Sequence, residues 1–248
     1  MRALRILLIV VVILGGLFVL VDRVAVHFAQ GEAADKLRTT EGLSRTPDVS
    51  IKGFPFLTQV AGGSLDDVQV GIKDYEAATG QGDRKIRIDD LKADMKGVAF
   101  SGDYSSATAA TATGTATISY DELLKSVASE GTEVVPGVTA QVTGLSDGGN
   151  GKIKVTVRAK GTFAGTIPVD QTMSVLSSVS VDDNKVRFHA DSLPSIDGLS
   201  LAEGRVREIT DFQQAVDQLP GGIELDQVKA AEDGVAITVK GSNVKLAG

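Results

Sequence analysis

The sequence predicts an α+β protein, with an extended, curved antiparallel sheet wrapped on a few helices and an N-terminal transmembrane helix ahead of it. Three observations predict this. Short runs alternate apolar and polar residues with period two, the pattern of strands with one buried and one wet face. Two segments carry helix-start signatures, and a hairpin pattern follows each. An unbroken apolar stretch, Ile6 to Val21, opens the chain. The composition agrees: 28 glycines in 248 residues, 4% aromatics and no Trp, with Val, Ala and Thr dominating the strand-like stretches.

The opening stretch is 16 residues long, with Arg2 and Arg5 before it and Asp22 and Arg23 after it. A span takes about 20 residues, so Leu4 and the snorkelling ends of Arg5 and Arg23 would complete it. Basic residues before the run and an acidic body after it put the N-terminus in the cytoplasm and the body outside. The rival reading is a cleaved signal peptide, which would give a secreted form. Ala29-Gln30-Gly31 is a passable small-x-small site, whereas Ala25-Val26-His27 is a poor one. No breaker separates the run from the helical spacing that follows it. The expectation is therefore an uncleaved anchor over residues 1–23, giving a single-pass protein of the cell membrane with its C-terminal domain extracytoplasmic. No Pro/Ser linker divides the remainder, so residues 24–248 are read as one β-rich domain.

From Val24 to Leu43 the spacing predicts an amphipathic helix with Val24, Phe28, Ala34 and Leu37 as its buried stripe. Beyond Pro47 come strands. Ile153, Val155, Val157 and Ala159 alternate with charged and polar neighbours, as do Val186, Phe188 and Ala190, and Val235, Ile237 and Val239. Ser119 with Glu122 forms a capping box ahead of Leu123, Leu124 and Val127. Thr210 with Gln213 repeats the arrangement ahead of Phe212, Ala215, Val216 and Leu219, and Pro220-Gly221-Gly222 stops it. After the first helix come Pro136-Gly137, a strand from Val138, a turn around Asp147 to Gly151 and a strand from Lys152. After the second come Pro220-Gly221, a strand from Ile223, the turn Asp233-Gly234 and a strand from Val235. The first helix with Val49 to Ile51 and Leu65 to Val70 reads as a third, divergent copy. A repeated helix-plus-hairpin unit would build one extended sheet with helices on one face.

Two strands are unusual. Ala107 to Ile118 places Ala110, Ala112, Gly114, Ala116 and Ile118 on one face and four threonines on the other. The first of these faces has almost no side-chain volume, so either a helix packs very close to it or it borders a space that something else fills. In the strand from Arg84, Ile86 and Ile88 share a face that Leu91, Ala93 and Met95 do not, and a bulge near Asp89-Asp90 would restore the register.

The residues give little support to catalysis. The net charge is −7, which repels phosphate backbones and argues against nucleic acid as a partner. There are no cysteines and only two histidines, His27 and His189, neither beside a plausible nucleophile. The paired acids Asp66-Asp67, Asp89-Asp90 and Asp182-Asp183 would point to opposite faces of their strands and make no dyad. No metal-ligand cluster, phosphate loop or dinucleotide fingerprint is present. The expectation is a protein with no catalytic residues, no metal and no cofactor.

Gly53-Phe54-Pro55-Phe56-Leu57-Thr58-Gln59-Val60-Ala61-Gly62-Gly63 stands out, with two of the eight phenylalanines around a proline and freely turning glycines after them. One reading is a core-anchoring turn in which Phe54 and Phe56 plug one end of the sheet. The other is an apolar lip meeting a bilayer or a lipid chain.

Pro47-Asp48-Val49-Ser50-Ile51-Lys52-Gly53-Phe54-Pro55-Phe56-Leu57-Thr58-Gln59, followed by Gly62-Gly63-Ser64-Leu65-Asp66-Asp67-Val68, resembles the hallmark of the LmeA family of actinobacterial proteins. The resemblance continues at Leu219-Pro220, Ile223, Leu225, Val228 and Asp233-Gly234-Val235 to Gly241, so it covers the body from about residue 30 to the end. It implies a cell-envelope protein that binds phospholipid and, in mycobacterial members, supports mannan elongation on lipomannan. It also implies a likeness to tubular lipid-binding folds and no catalytic residues. On that resemblance the expected partners are phospholipid, the membrane and envelope glycan-assembly proteins. The expected lipid contacts are Phe54, Phe56, Leu57, Ala110, Ala112, Gly114 and Ala116. The alternative is a scaffold protein of the envelope without a lipid cavity.

Overall fold

The computed structural model describes residues 2–78, 85–103, 105–127, 131–182, 185–191, 207, 211, 213–215 and 223–247. Helix α1 (Arg2–Thr40) contains the whole apolar run and continues without a break into the body. It ends where Gly42 turns left-handed (φ +61) and the Leu43 N–H reaches the Arg38 carbonyl at 2.9 Å, the glycine stop a helix C-terminus favours. The face buried against the body is Asp22, Val26 and Ala34, with Leu37 half-buried. Val24 and Phe28, expected in that stripe, stand on the opposite side, 55% and 72% exposed. The stripe is rotated because Asp22, a charge at the end of the apolar run, is itself taken into the body.

Next come β1 (Asp48–Lys52), α2 (Phe56–Ala61), β2 (Ser64–Ala78), β3 (Lys85–Phe100), β4 (Ala107–Ser119) and α3 (Tyr120–Val127). A meander follows: β5 (Thr132–Val135), β6 (Val138–Asp147), β7 (Lys152–Phe163), β8 (Ile167–Asp182) and β9 (Lys185–Ala190). The chain closes with β10 (Gln213–Ala215), β11 (Ile223–Ala231) and β12 (Gly234–Ala247). Every ladder among the described residues is antiparallel, as the alternation predicts, and the sheet curls into a half-barrel. The ladders divide into two six-stranded sheets where the sequence suggested one: β1-β2-β3-β4-β12-β11 and β10-β9-β8-β7-β6-β5. The division follows from β12 returning to pair with β4, so that the first and last hairpins share a sheet and the meander between them forms its own.

The predicted turns at Pro136-Gly137 and Asp147–Gly151 and the hairpin at Asp233-Gly234 are all present. At the second of these the backbone is left-handed through Gly149, Asn150 and Gly151, and Asp147 Oδ1 accepts the Gly149 N–H at 3.0 Å. Two expectations fail at helices. Gln213–Ala215, assigned to a helix, is a strand paired with Lys185–Arg187 of β9, a case of tertiary pairing overriding local preference. Thr210, Phe212, Val216 and Leu219–Gly222 lie outside the described residues. At α3 the Glu122 carboxylate accepts the Arg87 N–H of β3 and pairs with Lys125 one turn on, in place of the capping-box bond to Ser119.

Left-handed residues crease the first sheet without slipping its register. Gly97 (φ +60) of β3 and Asn243 (φ 53) of β12 both lie opposite Ala110 of β4, between the paired sets Lys96–Thr111–Ser242 and Val98–Ala109–Val244. On one side of this crease Leu65, Val98, Ala109 and Val244 make a buried row. On the other, the inward positions fall on Val68, Met95 and Ala112. A second crease lies where Asp74 (φ 53) sits opposite Asp89. The bulge anticipated at Asp89-Asp90 is replaced by this device, an aspartate in the left-handed region that few non-glycine residues enter.

Three apolar clusters result. Val26, Phe56, Leu65, Val98 and Ala109 pack where α1 and α2 meet the first sheet. Tyr120, Ile153, Val186, Val228 and Val235 join α3 and both sheets, and the Tyr120 hydroxyl donates to the Ala231 carbonyl at 2.9 Å. Val134, Val138, Ala140, Val157 and Ala159 fill the far end of the second sheet.

Candidate lipid-contact surface

The Gly53–Gln59 segment is a turn in which nearly every residue has a structural task. Gly53 is left-handed (φ +96), and a Cβ there would run into the Gln59 amide and, at 2.8 Å, into Asp66 Oδ2. The Phe54–Pro55 peptide is cis, and Pro55 leads directly into α2. Phe56 is 7% exposed and packs in the first cluster, with Leu57 half-buried beside it. Gln59 Oε1 accepts the Asp66 N–H at 2.8 Å, which ties α2 to the start of β2. From α1, the buried Asp22 carboxylate accepts the Leu57 N–H at 2.8 Å and pairs with Arg23 at 2.7 Å. It therefore satisfies the opening turn of α2, whose N-terminal N–H groups have no intrahelical partner. Phe54 is the exception in the segment: 57% exposed, with the Arg23 guanidinium 5.1 Å from its ring centroid.

Beyond the first crease, alternate residues give the first sheet a continuous apolar face. The pairing builds three rows across β2, β3, β4 and β12. They are Val68–Met95–Ala112–Gly241, Val70–Ala93–Gly114–Val239 and Ile72–Leu91–Ala116–Ile237. The first row abuts the α1–α2 cluster through Val68 and Met95, and the third abuts the central cluster through Ile237. Between these, Val70, Ile72, Leu91, Ala93, Ala116 and Val239 are half-exposed and belong to none of the clusters formed by the described residues. The whole face is about 13 Å long over its three rows, from four residues of strand rise, and about 14 Å wide over four strands, and the part outside the clusters is about 7 Å long.

The predicted contacts divide over this geometry. Ala112 is buried, and Gly114 and Ala116 are half-exposed on the apolar face. Ala110 is not there: the crease turns it outward to solvent, and Ala109, fully buried, takes the inward position. The missing volume at Gly114 is taken by a neighbour on the next strand, since a Cβ there would stand 2.7 Å from Val239 Cγ2. Phe56 is core, Leu57 flanks it, and Phe54 alone projects outward. The core-anchoring reading therefore describes Phe56 and not Phe54. Sequence reasoning missed Val70, Ile72 and Val239 as neighbours of the alanines, because only cross-strand pairing brings them together. It also missed Asp22, whose partner is 35 residues away.

The other face of the same strands is polar. Asp48, Ser50, Gln69, Lys92, Asp94, Thr113 and Thr115, together with Val70, Gly71 and Ala93, line a concavity of about 370 Å³, in which the Gln69 amide donates to Asp94 at 3.0 Å. Among the described residues no three metal-ligating side chains converge. Two acids with lowered pKa sit in separate surface contacts. Asp103 is lowered to about 2 by hydrogen bonds from Ser101 and Ser105, and Asp191 is lowered by Lys152 and Ser178. His189 lies 2.9 Å from Asp211 Oδ2 on the strand surface.

With this geometry in place, the comparison with known families is decisive. The model of the LmeA-like phospholipid-binding family matches residues 20–240. The chain belongs to that family. The LmeA-like match takes in Asp22, the Gly53–Gln59 turn and both sheets, and leaves out most of the apolar run. No curated protein and no solved structure matches the chain significantly.

Proposed function

We propose that this LmeA-like protein holds phospholipid by laying acyl chains on the strip bounded by Val70, Ile72, Leu91, Ala93, Ala116 and Val239. In this reading it acts as a binding protein, with no catalytic step. The observation that carries it is an apolar, half-exposed face lying between two filled clusters. Burial is worth about 0.8 kcal/mol per methylene, so a dozen methylenes give about 10 kcal/mol before the costs of association. No charged clamp is needed for useful affinity.

The finer statements rest on the same footing. α1 is long and apolar enough to cross a bilayer, and its run from Ile6 to Val21 exposes large apolar side chains on all sides. This supports a tether over residues 1–23 with the body, residues 24–248, outside the membrane as one lipid-binding unit. The central cluster, which draws residues from both sheets, supports the single unit. A role in assembling envelope lipid or lipoglycan beside glycan-assembly proteins follows from the family resemblance.

The test is native mass spectrometry of the full chain released from detergent. Bound phospholipid at near-stoichiometric occupancy, with uptake from vesicles after delipidation, is the expected result. An empty protein that takes up no lipid would leave the scaffold reading in its place.

A further inference from the structure

The apolar surface of α1 does not end evenly where the apolar run ends. On the side facing the body it stops at Val21, because Asp22 and Val26 are buried there. On the opposite side it continues through Val24 and Phe28, one turn apart and 55% and 72% exposed. Phe54 stands off the flank at the level of Arg23, 57% exposed in a turn whose other residues are all engaged. Buried Asp22 fixes this level by holding α1 to α2. We propose that Val24, Phe28 and Phe54 form an interfacial seat that enters the headgroup–acyl boundary of the bilayer. The seat fixes the depth at which α1 leaves the bilayer, with α1 leaning toward its Val24–Phe28 side.

Three facts favour a bilayer surface as the occupant. The seat is continuous with the apolar run. Phe28 lies about 10 Å beyond Val21 at 1.5 Å per residue, the depth to which interfacial apolar faces enter. Arg23, stacked over Phe54, puts a cation at headgroup level, where it complements lipid phosphates. A helix with a longer apolar side lowers its free energy by tilting until that side is covered. The proposal rests on the tether reading above, and the test separates the two.

The chain contains no Trp, so single substitutions give unambiguous probes. Full-length Phe54→Trp, Phe28→Trp, Leu17→Trp and Ile167→Trp would be reconstituted in phosphatidylcholine–phosphatidylglycerol vesicles carrying nitroxide lipids. Phe54→Trp and Phe28→Trp are expected to emit at shorter wavelength than in water and to lose at least half their fluorescence to a shallow nitroxide. Ile167→Trp, on β8, should be unaffected. Water-like, unquenched Phe54→Trp and Phe28→Trp alongside a quenched Leu17→Trp would overturn the seat and leave the tether. An unquenched Leu17→Trp would remove the tether and the seat with it.

Discussion

Replacing Ala93 and Ala116 together with phenylalanine is expected to cut phospholipid uptake at least tenfold while the body remains folded. Both alanines lie on the half-exposed strip, in adjacent rows with Val70 and Leu91 as cross-strand neighbours. A phenylalanine at each would occupy the surface that an acyl chain needs. Tenfold corresponds to about 1.4 kcal/mol, which is less than two methylenes of lost burial, so the true loss should exceed this bound. Because the sites are not fully enclosed, the added rings have space and overpacking is avoided. Thr113→Phe, on the polar face of the same strand, is the control and should leave uptake unchanged. Uptake from fluorescent-lipid vesicles measures the effect, with circular dichroism reporting the fold. Equal uptake by all three proteins would move the lipid off this face.

Phe56→Ala is expected to destabilise the body by about 3–5 kcal/mol, whereas Phe54→Ala should change stability by about 0.5 kcal/mol or less. The two phenylalanines are two residues apart in one motif but differ in exposure, 7% against 57%. Removing Phe56 opens a cavity among Val26, Leu65, Val98 and Ala109. In a chain of this size such a loss lowers the melting temperature by roughly 10 °C. Thermal unfolding followed by circular dichroism gives both values. Comparable melting temperatures for the two variants would contradict the division of the motif into core and surface.

Much of this was legible in the sequence, because period-two alternation is a local signal. The strands at Ile153, Val186 and Val235 emerge where the alternation put them, and the family motif marked the turn that joins α1 to the first sheet. What the sequence concealed is non-local. Ala110 keeps perfect alternation with Ala112, yet left-handed Gly97 and Asn243 on both neighbouring strands turn it to solvent. The Asp89-Asp90 irregularity is resolved by Asp74 on a different strand. Asp22 reads as the polar flank of an apolar run until its hydrogen bond to Leu57 is seen. Gln213–Ala215 has helix spacing but lies beside an open edge of β9 and pairs with it. In each case the deciding contact is with a residue far away in the chain.

The position of the acyl chain decides between the lipid-binding and scaffold readings. The direct measurement is cross-linking of the full chain with a phospholipid bearing a photoreactive group along one acyl chain, followed by peptide mass spectrometry. Adducts are expected on Val70, Ile72, Leu91 and Val239. Adducts confined to the polar concavity around Asp48 and Lys92, or to the second sheet, would contradict that placement.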